Sequence, residues 1–208
     1  MRAALIVVLT SCALTSRTAP LEIEYYTPDT VASPAGSSRV ISDRAPRVRL
    51  GRVSLPLDMR EQIFARTSAV ELTKYDHRRW TDAPDVFVRS ALRRALFERG
   101  ALTEAATGVA LRLEVDVIAF EERRAPYLAG RVRLAYRIID EGDVVSRGIV
   151  DVARPACTAA FDAVVLAIGA ALDEAATRVA RAVETAAGSE SARAPLVTQR
   201  ACVAPTVH

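Results

Sequence analysis

The sequence predicts an α+β fold: an antiparallel sheet with two helices packed on one face, in the order β-β-α-β-β-β-α. Three observations carry this. First, Leu111, Leu113, Val115, Val117 and Ala119 alternate with Arg112, Glu114 and Asp116, and Val132, Leu134, Tyr136 and Ile138 alternate with Arg131, Arg133 and Arg137. That period of two is the pattern of strands with one buried and one wet face. Second, Phe161, Val164, Val165, Ile168, Ala171, Leu172, Ala175, Val179, Ala182 and Val183 recur at helical spacing. Third, Val88, Ala91, Leu92, Ala95 and Leu96 share one side of a shorter helix whose other side carries Arg89, Arg93 and Glu98. A mixture of this kind folds as a layer of helices on a sheet.

Taken in order, Val48, Leu50, Val53 and Leu55 mark a first strand whose phase slips at Gly51-Arg52, where a bulge restores the apolar face. Pro56 ends it, and a weaker strand is expected around Val70 to Lys74. The first helix spans Asp85 to Arg99, with Thr81 or Asp82 as cap, Pro84 in its first turn and Gly100 as a left-handed stop. The turn Asp140-Glu141-Gly142-Asp143 joins two strands into a hairpin that continues over Val144 to Val152. Opposed acids and arginines on the outer face pair across strands at ~0.2 to 1 kcal/mol each, giving a solvated, charge-balanced surface. The long helix begins after Thr158 and runs to about Ala187, roughly 40 Å, with Glu174 and Arg178 at i,i+4 spacing. A stripe of that length covers a sheet, and its alanines let it lie close to the strands.

The flanks differ in composition from this body. Thr27 to Arg47 is rich in Pro, Ser, Ala and Gly and reads as a linker, while Glu22 to Thr27 also suits a strand through Ile23, Tyr25 and Tyr26. Gly188 to His208 reads as a loosely ordered tail. About 150 residues remain, one domain's worth. The formal charge is +3. The arginines are interleaved with acids and no Arg-aromatic run offers a stacking platform for bases, so no nucleic-acid partner is expected.

Chemistry-bearing residues are sparse. His77 and His208 are the only histidines, His77 lies in the polar segment Tyr75 to Trp80 that reads as a turn, and no nucleophile elbow, phosphate loop or metal-ligand spacing occurs. No catalytic residue, cofactor or metal is expected. Cys157 and Cys202 fit either a single disulfide in an oxidising compartment or two unpaired thiols. Trp80, the sole tryptophan, fits either a partner anchor or core packing under the preceding loop.

Near the N-terminus, Arg2 and the apolar run Ala3 to Val8 are followed by Leu9-Thr10-Ser11-Cys12. The run is too short to span a bilayer, and the ensemble resembles the lipobox of bacterial lipoproteins. The resemblance implies a signal peptide over 1–11, acyl chains such as palmitate on Cys12, and, with Ala13 following the cysteine, outer-membrane sorting facing the periplasm.

A second resemblance rests on Leu55-Pro56-Leu57-Asp58-Met59-Arg60-Glu61-Gln62-Ile63, on Arg79-Trp80 at the head of the first helix, on Leu92 and Leu96, and on Tyr25-Tyr26-Thr27-Pro28. These resemble the ABC-type transport auxiliary lipoprotein family. Pro28 stands where that family often has leucine, the linker is longer, and the tail carries an additional cysteine. The resemblance implies 12–46 as lipidated N-terminus and linker, 47–187 as the auxiliary domain and 188–208 as tail. It further implies an adaptor beside a mammalian-cell-entry (MCE) type lipid transporter: an MCE-domain periplasmic protein and, through it, an inner-membrane permease and ATPase. Candidate contacts are Tyr25, Tyr26, Arg79 and Trp80. The alternative is a carrier holding lipid or a small amphiphile between the long helix and the sheet, which requires an apolar cavity of several hundred Å³.

Overall fold

The computed structural model describes residues 22–28 and 45–193, with side chains placed to residue 188. The lipobox with Cys12, most of the linker and the tail with Cys202 lie outside the described residues. The elements are β1 (Glu24–Tyr26), β2 (Arg47–Ser54), β3 (Gln62–Arg66), β4 (Leu72–Trp80), α1 (Pro84–Arg93), β5 (Thr103–Glu104), β6 (Leu111–Arg123), β7 (Ala129–Asp140), β8 (Asp143–Pro155) and α2 (Phe161–Arg193).

The fold is α+β as expected, but the sheet is mixed. Its axis is β6. On one side β7 runs antiparallel along it and β8 runs antiparallel to β7. The other side of β6 is shared by two strands, both parallel to it: β2 from Val48↔Leu111 to Ser54↔Asp116, and β3 from Phe64↔Glu121 to Arg66↔Arg123. Beyond β3 lie β4, antiparallel, and then β1, parallel to β4; β5 lies parallel to β2. Period-two alternation reports which face is buried and not which way the neighbour runs. The chain between β2 and β6 is long enough for the crossover that parallel pairing requires.

Both helices pack on one face and touch each other, α2 over β7 and β8, α1 over β2 and β6. The stripe Val164, Ile168, Ala171, Leu172, Ala175 and Val179 is buried against buried Val132, Leu134, Val150 and Val152. Helix and sheet meet at backbone distance: a Cβ built on Gly130 of β7 would lie 2.1 Å from the Ile168 nitrogen. The outer face carries the expected ion pairs, among them Arg137 to Glu114 and Arg131 to Asp151. The bulge between Leu50 and Val53 and the hairpin turn are also present, with Glu141 and Gly142 at positive φ of 47° and 105° as a two-residue hairpin turn requires.

Several elements depart from expectation. The segment Tyr75 to Trp80 is strand, so His77 sits in β4 and not in a turn, and Arg79-Trp80 ends that strand and does not head a helix. β3 was hidden because its five residues carry only two buried positions, Ile63 and Ala65. α1 starts at Pro84 with Ala83 as cap and no side-chain cap bond, and its last turn, Arg94–Glu98, widens to π geometry. Gly100 is not left-handed; it is required by space, since a Cβ there would lie 2.4 Å from the Leu96 carbonyl. α2 extends to Arg193, beyond the expected end at Ala187. β6 extends to Arg123 through a register shift between Val117 and Ala119, which turns Phe120 into the core.

Candidate functional site

The sequence-predicted contact residues come from two segments some fifty positions apart, and the sheet brings them together. Tyr25 pairs with Arg79 and Tyr26 with Trp80 across the β1–β4 ladder. β1 is an edge strand, and Thr81 N–H donates to the Tyr26 carbonyl at 2.9 Å, continuing the ladder beyond it. Their exposures separate their roles. Tyr25 is 61 % exposed and available, whereas Trp80 has no exposed surface and packs edge-on against Phe87 and Phe120. Trp80 is therefore a core residue, as the packing alternative expected. Arg79 is half-buried and spends its guanidinium on the strand itself, donating to the carbonyls of Tyr75 and Arg78 at 2.8 Å each.

Tyr26 anchors the edge to α2. Its ring meets Phe161 edge-on at 4.7 Å, and Tyr75 meets Phe161 from β4 at 5.0 Å. The Arg78 guanidinium lies 4.1 Å from the Phe161 ring centroid and donates to Glu24 at 3.2 Å. The Tyr26 hydroxyl donates to Glu24 at 2.7 Å. These bonds from Tyr26 and Arg78 hold the Glu24 carboxyl below its ordinary range, while burial and then the bond to Glu24 push Tyr26 up. Further along, Pro28 is buried with its carbonyl against Gly169 of α2, where a Cβ would come within 2.4 Å. The segment 22–28 is thus a fixed part of the domain's edge, the strand alternative of the two weighed from sequence. Phe161, Arg78, Glu24 and Gly169 were not singled out from the sequence, because their partners are remote in the chain and none has a local pattern.

Two carboxylates at the end of β6, Glu121 and Glu122, are buried. Glu121 accepts from Arg66 at 2.6 and 3.1 Å and from Arg131 at 3.2 Å. Arg131 in turn pairs with Asp151, holding that carboxyl below its usual range. Glu122 accepts from the Tyr75 hydroxyl and from Arg124 at 2.9 Å. Burial, then the bond to Glu122, raises the Tyr75 phenol. Every carboxylate oxygen in these sets is answered by a fixed donor, which is the arrangement of structural ion pairs.

Two surface clefts flank α2. One, about 410 Å³, is lined by Arg154, Pro155, Cys157, Ala163, Leu166 and Ala170; the other, about 360 Å³, by Arg99, Gly100, Thr177, Arg181 and Glu184. Both open to solvent; the first lies between α2 and the end of β8 and reaches buried Ala167, and the second lies between α2 and the turn that ends α1, reaching buried Ala95 and Ala180. Cys157 is exposed beside the first cleft, and its possible partner Cys202 lies outside the described residues. Among the described residues no three His, Cys, Asp or Glu side chains gather where a metal could sit, and no helix is long and apolar enough to cross a membrane.

The described residues form an α+β body whose sheet edge sets exposed Tyr25 beside Arg78 and Arg79. The ABC-type transport auxiliary lipoprotein component family matches residues 28–180, and the chain belongs to it. It is accordingly an auxiliary lipoprotein of ABC-type transport, a class of membrane-anchored envelope proteins. In fold it is similar to a solved protein from Xanthomonas campestris, at 22% identity over 81% of this chain and 99% of that one, with a TM-score of 0.65. It is also similar to an uncharacterized protein of known structure, at 14% identity over 78% and 99%, with a TM-score of 0.58. No curated protein matches the chain.

Proposed function

We propose that this protein is a non-catalytic adaptor subunit of an MCE-type ABC transporter for lipids. Acylated at Cys12, it sits in the outer membrane facing the periplasm and docks onto the MCE-domain protein, and through it to the permease and ATPase. Family membership supports the transport role. The observation that favours an adaptor over a carrier is the seating of α2 on β7 at Gly130, where helix and strand backbones leave no room for an acyl chain. An adaptor needs a closed core and an accessible edge, and β1 offers one: its outer backbone groups have no strand partner among the described residues, and Tyr25 stands exposed beside them. The tether raises the local concentration of that edge near a membrane-bridging partner, so modest intrinsic affinity suffices.

The test is site-specific photocrosslinking in cells. A photoreactive residue at Tyr25 should yield an adduct with the MCE-domain protein, and one at the buried Trp80 should not. Absence of any adduct at Tyr25 while the transporter is assembled would overturn the docking edge, and an adduct with lipid alone would favour the carrier.

A further inference from the structure

Among the described residues three strands have a neighbour on one side only: β1 with three residues, β5 with two and β8 with 13. A short edge offers little to another strand, whereas a long one exposes a row of unpaired backbone groups. From Ser146 to Ala153 β8 holds neither proline nor lysine, and its register shift against β7 falls earlier, between Val144 and Ser146. That stretch is therefore an even template for pairing. Its odd-numbered residues face away from the helices. Ile149 is 57 % exposed there, between Arg147 and Asp151, while Val150 and Val152 are buried on the α2 side.

Arg147 is the residue that points outward to a partner. Opposite it on β7 stands Arg137, whose guanidinium is turned to Glu114 and Asp116. Arg147 itself has no ion-pair partner among the described residues, so within the sheet it faces a like charge, which is destabilising across a strand pair. A carboxylate that answers it has to come from beyond the edge.

β8 carries such a carboxylate itself. In a two-fold antiparallel pairing, each residue meets the one equally far on the other side of the axis. An axis through Ile149 sets Arg147 against Asp151 of the second copy, twice by symmetry, and Ile149 against Ile149. On the helix side Gly148 meets Val150 and Ser146 meets Val152. Neighbouring registers lose this match. An axis through Arg147 or Asp151 joins like charges, and one through Gly148 or Val150 sets Ile149 against a charge. An axis between residues would pair an outward side chain with an inward one, although directly opposed residues share a face. The axis through Ile149 also sets both copies of α2 on one face of the joined sheet. Since α2 lies over β7 and β8 and strands are about 4.8 Å apart, the two helices come about 10 Å apart, an ordinary packing distance.

We propose that the protein forms a two-fold dimer through β8, the sheets of two copies joined edge to edge about Ile149. The interface is independent of the lipid anchor. It leaves β1 at the far side of each copy, so one dimer presents two β1 edges.

The experiment uses the full-length acylated protein in membranes, carrying Cys157→Ser and Cys202→Ser. Single cysteines are introduced as Arg147→Cys, Ile149→Cys or Asp151→Cys and oxidised with copper phenanthroline. Opposed residues have Cβ atoms about 4.5–5.5 Å apart, so Ile149→Cys should give a disulfide-linked dimer on a denaturing gel. Arg147→Cys and Asp151→Cys, each about 14 Å from its own copy, should not link alone but should link to one another when the two proteins are co-expressed. In mild detergent, Arg147→Glu makes both ion pairs into like-charge contacts and should weaken dimerisation about ten-fold by analytical ultracentrifugation. Arg147 is exposed, so this change leaves the fold intact. No link at Ile149→Cys, or equal linking from all three single cysteines, overturns the proposal. A monomer whose β8 amides are nonetheless protected from exchange assigns the edge to another segment of the same chain, and a cysteine at 149 that links only to a different protein assigns it to that protein; either result overturns the dimer.

Discussion

Gly130→Ala probes the closed helix–sheet seam most directly. The added Cβ would lie 2.1 Å from the Ile168 nitrogen, 2.4 Å from the Ala167 carbonyl carbon and 2.6 Å from the Ile168 Cα, all of them helix backbone with no flexible end to swing aside. Restoring ordinary contact near 3.4 Å requires α2 to move about 1.3 Å from β7. That shift loosens the packing of Val164, Ile168, Ala171 and Leu172, all of them buried. Overpacking of this kind costs about 1–3 kcal/mol, and for a domain of this size each kcal/mol lowers the melting temperature by roughly 2–4 °C. A fall of about 2–12 °C is therefore expected in a thermal scan, with a matching fall in the urea midpoint at unchanged slope. Without the clash, a glycine-to-alanine change at a strand site stabilises by about 0.4–1 kcal/mol through the unfolded chain. An unchanged or raised melting temperature would show that the seam is not tight, and space for cargo would return.

Four further outcomes are expected. Phe161→Ala removes the ring on which Tyr26, Tyr75 and Arg78 converge; from its half-buried position it should cost about 2 kcal/mol and speed amide exchange over 24–28 selectively. Equal exchange in mutant and wild type would contradict the anchoring of β1. Glu121→Gln leaves Arg66 and Arg131 without their shared charge and should cost about 2–3 kcal/mol by urea titration, less than a wholly buried pair because both arginines reach water. The folded state holds the Tyr75 proton above the ordinary value near 10, so its stabilising effect is complete below that value and is lost as pH rises through the higher folded value. Stability measured from pH 8 to 11 should fall more steeply for wild type than for Tyr75→Phe. Cys12→Ala should move the protein from the membrane to the soluble fraction and abolish fatty-acid labelling; unchanged fractionation would count against the lipobox.

What the sequence revealed follows from where its patterns are local. Alternation over 111–117 and 132–138 and the helical stripe from Phe161 describe a buried face over many residues, and β6, β7 and α2 form there. β3 has five residues, and β4 has a single fully buried residue, Trp80, so neither carries a period strong enough to read. Strand direction was illegible for a different reason, since β2 and β3 share one flank of β6 through pairings more than fifty residues apart. The site was half legible. Tyr25, Tyr26, Arg79 and Trp80 do converge, but the residues that fix the edge, Phe161, Arg78 and Gly169, meet only in three dimensions. Trp80 looked the same from sequence whether buried or exposed, and its place under the Phe87 and Phe120 rings decides it.

The proposed adaptor is tethered by lipid and carries none within its fold. Native mass spectrometry of the protein released from membranes in mild detergent tests both halves at once. The expected mass per chain is the polypeptide beginning at Cys12 plus its covalent acyl groups, with no lipid retained under gentle activation. An unmodified Cys12, or one lipid held per chain without a covalent bond, would contradict it.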